Sequence, residues 1–171
     1  METTRRLVLL AATVTTGLTA GLLFAFACAV MPSLSGADDA TFVDVMQRIN
    51  LAIVNAWFLA CLDGALALGV LSVVLHLGSR SRPVLVWIVA GVLCYLVALA
   101  VTGLVNVPLN DTLAAAGDPH AGSGAGRIGD LAAFRAHFEG RWVTWHLVRT
   151  VAATASLGCL AWALVVSGSA G

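Results

Sequence analysis

Four apolar stretches, Leu7–Met31, Leu51–Leu77, Pro83–Val107 and Val143–Val166, leave this chain few ways to fold. Each exceeds the roughly 20 residues that a helix needs to cross about 30 Å of hydrocarbon. Strands of a membrane barrel would be about 10 residues long with strict alternation, and no such alternation occurs. Lipid cannot satisfy a bare backbone, so all four stretches are expected to be helices. The expected fold class is all-α: a single-domain integral membrane four-helix bundle over 1–171, with outer loops at 32–50 and 108–142. Its first partner is the lipid bilayer. Only 11% of the residues are charged, against about a quarter in soluble domains. All nine basic residues are Arg and the net charge is zero, which offers no basic surface for nucleic acid. No phosphate-binding glycine fingerprint is present either.

The first stretch follows Arg5 and Arg6 and carries Ala25-Phe26-Ala27 near its end, as a secretory signal would. Its apolar length exceeds the roughly 7–15 residues of a signal core, so it reads as a span. Arg5, Arg6, Arg80 and Arg82 crowd the N-terminus and the second loop, whereas Arg48, Arg127, Arg135 and Arg141 are diluted among acids in the other two loops. The positive-inside rule then places both termini in the cytoplasm of a multi-pass protein of the cell membrane. Asp38 and Asp39 can cap a helix start, and Phe42, Val45, Met46 and Ile49 repeat at helical spacing. With no Gly or Pro between Ala37 and Asp63, one extended, partly extramembrane second helix is expected. Residues 114–129 read as a flexible stretch, and a short helix before the fourth span is expected from Asp130, with Phe134, Phe138 and Trp142 on one face.

The few polar residues within the spans are where function is sought, because an ionisable group in hydrocarbon is costly unless paired, hydrated or used. Tyr95, Leu99, Thr102 and Asn106 share one face of the third span; Trp142, Trp145, His146, Arg149 and Ser156 share a stripe of the fourth. Gly17, Gly21, Phe24 and Cys28 align on the first, where two glycines four apart suit close helix contact. Asn55 and Asp63 both fit an inward face of the second. Helix rise puts Arg149 roughly 10 Å and Asp63 roughly 18 Å below the outer boundary. These residues are expected to converge on an outer-leaflet pocket floored by Asp63, a possible proton or ion site.

No metal is expected. His76 lies at the opposite end from His146, and His120, His137, Glu139 and His146 follow no strong metal-ligand spacing. Haem or a metal ion at His146 is the alternative. Cys28, Cys61, Cys94 and Cys159 fall one per span with no paired motif and read as small apolar filler.

Several strings resemble the anthrone oxygenase-like family of small four-span membrane proteins. They are Gly17-Leu-Thr-Ala-Gly21 leading to Met31-Pro32; Met46-Gln47-Arg-Ile-Asn50 with Asn55 and Phe58; Asn106-Val-Pro108-Leu-Asn110-Asp111; and Trp142-Val-Thr-Trp145-His146-Leu-Val-Arg149-Thr150. One departure is His146, where such proteins often carry Asn. The resemblance implies an oxygenase that converts a flat polyketide-type aromatic, an anthrone, to a quinone with molecular oxygen and no cofactor. On that reading His146 is the base. Arg149 holds the oxyanion with Asn106 or Asn110. Asn50, Asn55, Tyr95, Trp142 and Trp145 are further contacts to a small hydrophobic aromatic ligand. Three other classes fit the residues. A small transporter would use Asp63 and Arg149 as a titrating pair and would require an oligomer. A non-catalytic membrane scaffold would use the polar cluster as glue. A haem or quinone redox protein would use His146.

Overall fold

The computed structural model describes residues 2–78, 82–121 and 128–169. Arg80 and Arg127, which enter the orientation argument, lie outside the described residues, as does 122–127 of the stretch expected to be flexible. Five helices account for most of the chain: α1 Glu2–Ser35, α2 Asp39–Ile53, α3 Ala56–His76, α4 Arg82–Ala115 and α5 Leu131–Ser169. All except α2 are long and apolar enough to cross a membrane. The chain is a multi-pass, all-α membrane protein.

The spans form a ring in which α1 touches α3 and α5, and α4 touches the same two. Sequence neighbours are therefore spatial neighbours, as in an up-down-up-down bundle. At the end bearing the chain termini, Leu9, Ala12, Val84, Ile88, Leu160 and Ala163 close into one cluster. Gly91 lets α4 and α5 approach there: a Cβ on it would lie 3.0 Å from Leu160 and 3.3 Å from the Ser156 carbonyl.

The opposite end is capped. Phe42, Val43 and Met46 of α2 pack with Met31, Leu113, Phe138 and Trp142. Arg135 fastens the cap. Its guanidinium donates to the Leu34, Ser35 and Ala37 carbonyls and to Asp39 Oδ1, while its Nε reaches Glu139 at 2.8 Å. It also lies 4.4 Å over the Phe42 ring. The last carbonyls of α1 have no helical partner of their own, so one half-buried arginine satisfies them and ties three helices together. Asp38 caps α2 by accepting from the Thr41 amide and hydroxyl. The Thr41 hydroxyl, ahead of its amide, holds the Asp38 carboxyl below its ordinary pKa of 3.8.

Two helices carry a wide π-helical turn near the cap, at Phe26–Val30 and Thr102–Asn106, where the Met31 and Val107 amides reach back to Phe26 and Thr102. A proline follows each, Pro32 and Pro108. Proline removes a helical donor and crowds the carbonyl four residues earlier, and a widened turn accommodates both effects.

The structure departs from the sequence reading in four places. The continuous second helix is interrupted at Val54–Asn55, whose backbones are not helical. Asn55 Oδ1 accepts from the Trp57 and Phe58 amides at 3.1 Å, starting α3 as a separate helix. The short helix before the fourth span is no separate element. It is the first part of α5, whose 39 residues run about 58 Å, well past the hydrocarbon. On α1, Gly21, Phe24 and Cys28 are exposed, and Thr16, Thr19, Ala20 and Leu23 face inward. Thr19 bonds its own helix at Thr15, which makes a buried hydroxyl tolerable, while a Cβ added at Gly17 would lie 3.4 Å from Leu157 and one at Gly21 would meet nothing within 4 Å. Finally, helix continues through Ala114 and Ala115 before Gly117 turns at a φ of 103°, a conformation open to glycine.

Candidate functional site

The polar stripes of α4 and α5 meet just below the cap, where a cavity of about 250 Å³ opens. Ligand pockets typically measure about 300–1,000 Å³, so it suits a small molecule. Its walls are apolar residues of α1, α2 and α3, among them Leu23, Phe26, Ile53 and Phe58. Its polar residues are Gln47, Asn50, Thr102, Asn110, Asp111, Trp142, His146 and Arg149.

His146 and Arg149 form the centre. They are three residues apart on α5, one above the other on the same face. Arg149 Nε and Nη2 donate to His146 Nδ1 at 3.2 and 3.0 Å, and Nη1 donates to Thr102 Oγ1 at 3.3 Å. A guanidinium only donates, so Nδ1 must be the unprotonated nitrogen. His146 Nε2 therefore carries the proton and donates to the Leu23 carbonyl at 3.0 Å. Both ring nitrogens are engaged. The basic lone pair of His146, expected to accept a proton, faces the Arg149 guanidinium in this geometry. Among the described residues no group of three or more His, Cys, Asp or Glu could hold a metal ion.

Trp142 completes the shell. Its ring stacks on His146 with centroids 4.7 Å apart and planes 9° from parallel. Arg149 lies 5.4 Å from the Trp142 ring centre. Trp142 Nε1 donates to Asn110 Oδ1 at 2.8 Å. Indole N–H cannot accept, so the Asn110 oxygen is fixed toward Trp142 and its amino group is left for the cavity. Asn50 Nδ2 is buried with no partner among the described residues. Three of the five guanidinium N–H groups of Arg149 are used, and two remain. The cavity lining therefore includes three side chains, Arg149, Asn110 and Asn50, with donors left over.

The remaining residues singled out by sequence lie elsewhere. Asn106 is fully buried beside the cavity and donates to the Trp142 carbonyl at 3.4 Å, supporting the wall without lining it. Tyr95 sits in a separate small hollow and donates to the Leu62 carbonyl at 2.9 Å. That hollow shares Leu23, Phe58, Thr102 and Arg149 with the main cavity. Asn55 is spent on its helix cap, and Trp145 is on the outer surface of α5, 37% exposed. Asp63 is corrected from floor of the pocket to the exposed side of α3. It makes no ion pair with Arg149, because α3 and α5 lie on opposite corners of the ring.

Sequence reasoning placed Thr102 on the inward face but passed over Gln47 and Asp111 as site residues. Gln47 Nε2 ties α2 to the end of α4 through the Leu113 and Gly117 carbonyls. Val107, Asn110, Asp111 and Ala114 all line the cavity, spaced as one helical face. That spacing was available in the sequence.

A family model described as Anthrone oxygenase matches residues 53–159. The matched region holds the Asn106–Asp111 and Trp142–Thr150 segments and ends before the C-terminal turns of α5. No curated protein and no solved structure matches the chain.

Proposed function

Because the chain belongs to the anthrone oxygenase family, we propose that it oxidises the acidic methylene of an anthrone-like aromatic to a carbonyl with molecular oxygen, in the cavity beneath the cap. The overall change is balanced without an added reductant: the methylene loses two hydrogens, one oxygen atom enters the new carbonyl, and the other leaves in water. Removal of one methylene proton places negative charge on the existing carbonyl oxygen, and the resulting enolate is the species that meets oxygen.

One observation carries this reading. The cavity presents two free N–H groups of Arg149 and the amino groups of Asn110 and Asn50, with apolar and aromatic side chains around them. Such an array favours a flat ligand whose oxygen becomes more negative as it reacts, and donors in a dry site act most strongly on charge that develops in the transition state. His146, Trp142 and Thr102 orient those donors beforehand. A greasy substrate reaches such a site from the membrane side, near the Val54–Asn55 break between α2 and α3.

The test supplies 1,8-dihydroxyanthrone to purified protein in lipid nanodiscs and follows quinone absorbance above the spontaneous rate in protein-free discs. Arg149→Gln is expected to lower the catalysed rate about 100- to 1,000-fold. His146→Asn, which can still accept from Arg149 and donate to the Leu23 carbonyl, is expected to stay within about tenfold, whereas loss of a general base costs about 100- to 10,000-fold. Wild-type protein no faster than empty discs, or Arg149→Gln as fast as wild type, would sink the proposal.

A further inference from the structure

The cavity that offers so many donors contains one side chain free to receive a proton. With His146 held at both nitrogens, the remaining polar lining groups are amides, a hydroxyl, an indole, a guanidinium and the carboxylate of Asp111. Asp111 is exposed and makes no hydrogen bond or ion pair among the described residues. Its place is set by α4: the wide turn at Thr102–Asn106 and Pro108 direct the last turns of the helix, and Val107, Asn110, Asp111 and Ala114 face the cavity together. Arg149 lines the same cavity from α5 and has no carboxylate partner either. Two opposite charges thus border one small space without closing on each other.

We propose that Asp111 is the proton acceptor of this site, and that the protein catalyses enolisation of a methylene flanked by an aromatic ring as a step separable from oxygen chemistry. The inference rests on the oxygenase reading for its substrate class. The methylene C–H bond breaks and its proton passes to a carboxylate oxygen of Asp111. The electron pair moves through the ring system to the carbonyl oxygen, which the Arg149, Asn110 and Asn50 donors hold. A base at one side of a flat molecule and an oxyanion site at another is the arrangement such a step needs, since only the displaced charge gains stabilisation. Exposure of Asp111 then serves the cycle: the protonated carboxyl returns its proton to water at the mouth of the cavity.

The experiment separates this step from the oxidation. In oxygen-free deuterated buffer, wild-type protein in nanodiscs is mixed with 1,8-dihydroxyanthrone, and deuterium entering the methylene is followed by mass spectrometry. Quinone formation in air is measured in parallel. Binding of 1,8-dihydroxyanthraquinone is followed by tryptophan fluorescence. Wild-type protein is expected to exchange the methylene faster than empty discs. Asp111→Asn should reduce exchange and oxidation together about 100-fold or more while retaining anthraquinone binding, and Asp111→Glu should recover part of both. Asp118→Asn, a nearby acid that caps the 118–121 turn, should change neither. Exchange undiminished in Asp111→Asn, no exchange by wild type, or loss of binding along with exchange would each overturn the assignment. Wild type that exchanges without oxygen yet makes no quinone in air would instead overturn the oxygenase reading and leave Asp111 as the base.

Discussion

At the end bearing the termini, Leu9, Ala12, Val84, Ile88, Leu160 and Ala163 interlock, and α4 approaches α5 closely enough that a methyl on Gly91 would lie 3.0 Å from Leu160. At the capped end the same helices diverge around a cavity of about 250 Å³. There Thr102, His146 and Arg149 are joined by hydrogen bonds, and an added loop helix lies across the top. The first half owes its stability to packing, which dispersion makes sensitive to a single carbon atom. The second half gives up packing for directed polar groups, and it is kept together from outside the hydrocarbon by the cap. The difference teaches where each kind of damage should register: changes in the packed half alter the fold, and changes in the hollow half alter chemistry unless they strike the clasp.

The largest structural effect should come from that clasp. Arg135→Ala removes the bonds to Leu34, Ser35, Ala37, Asp39 and Glu139. A loss of about 2–4 kcal/mol is expected, since charged hydrogen bonds contribute about 1.5–3 kcal/mol each and partly re-form with water. Hydrogen exchange should locate it: amides of α2 should open while those of residues 84–100 keep their protection. Uniform loss across both halves would show that the cap and the packed end unfold as one unit.

Glycines sharpen the contrast at a smaller scale. Gly91→Ala is expected to lower the thermal midpoint in detergent by the equivalent of about 1–3 kcal/mol, because the methyl meets Leu160 and the Ser156 carbonyl. Gly64→Ala, where a Cβ would meet nothing within 4 Å, should raise it by up to about 1 kcal/mol through helix propensity. Equal effects at the two sites would show that the close approach of α4 and α5 at Gly91 carries no packing cost.

The smallest effect concerns acid. Asp38 has a folded-state pKa below its ordinary 3.8, chiefly through the Thr41 hydroxyl. Its capping contribution is therefore complete above that value and is lost as pH falls through the folded pKa. Thermal midpoints measured from pH 5 downward should drop more steeply in wild type than in Asp38→Ala, and only below about pH 4. Parallel curves would remove Asp38 from the account of the cap.

Much of the bundle was legible in the sequence because each governing signal was local. Long apolar runs announced the spans, and the stripes Thr102–Asn106 and Trp142–His146–Arg149 lay at helical spacing on otherwise apolar helices. What escaped was non-local or ambiguous in phase. On α3, apolar residues occur all round, so periodicity had no means of choosing whether Asp63 faces the bundle or the lipid. The break before Asn55 lacks Gly or Pro; its one sign was the asparagine itself, a preferred helix cap. The clasp at Arg135 joins groups 96 to 101 residues away, and nothing near Arg135 announces them. The role of His146 depended on which nitrogen met Arg149, a matter of three dimensions alone.

The two widened turns have a consequence for how the molecule tolerates length changes. Each accommodates one surplus residue relative to an ordinary helix, so everything beyond it is rotated by about 100° from where a regular helix would put it. Deleting a single residue from within Thr102–Asn106 would let α4 tighten to a regular helix and leave Asn110 and Asp111 facing Trp142 and Arg149, whereas inserting one there would swing both away by about 100°. Either change would leave the span long and apolar, and only the insertion would take the carboxylate and the amide out of the hollow beneath the cap.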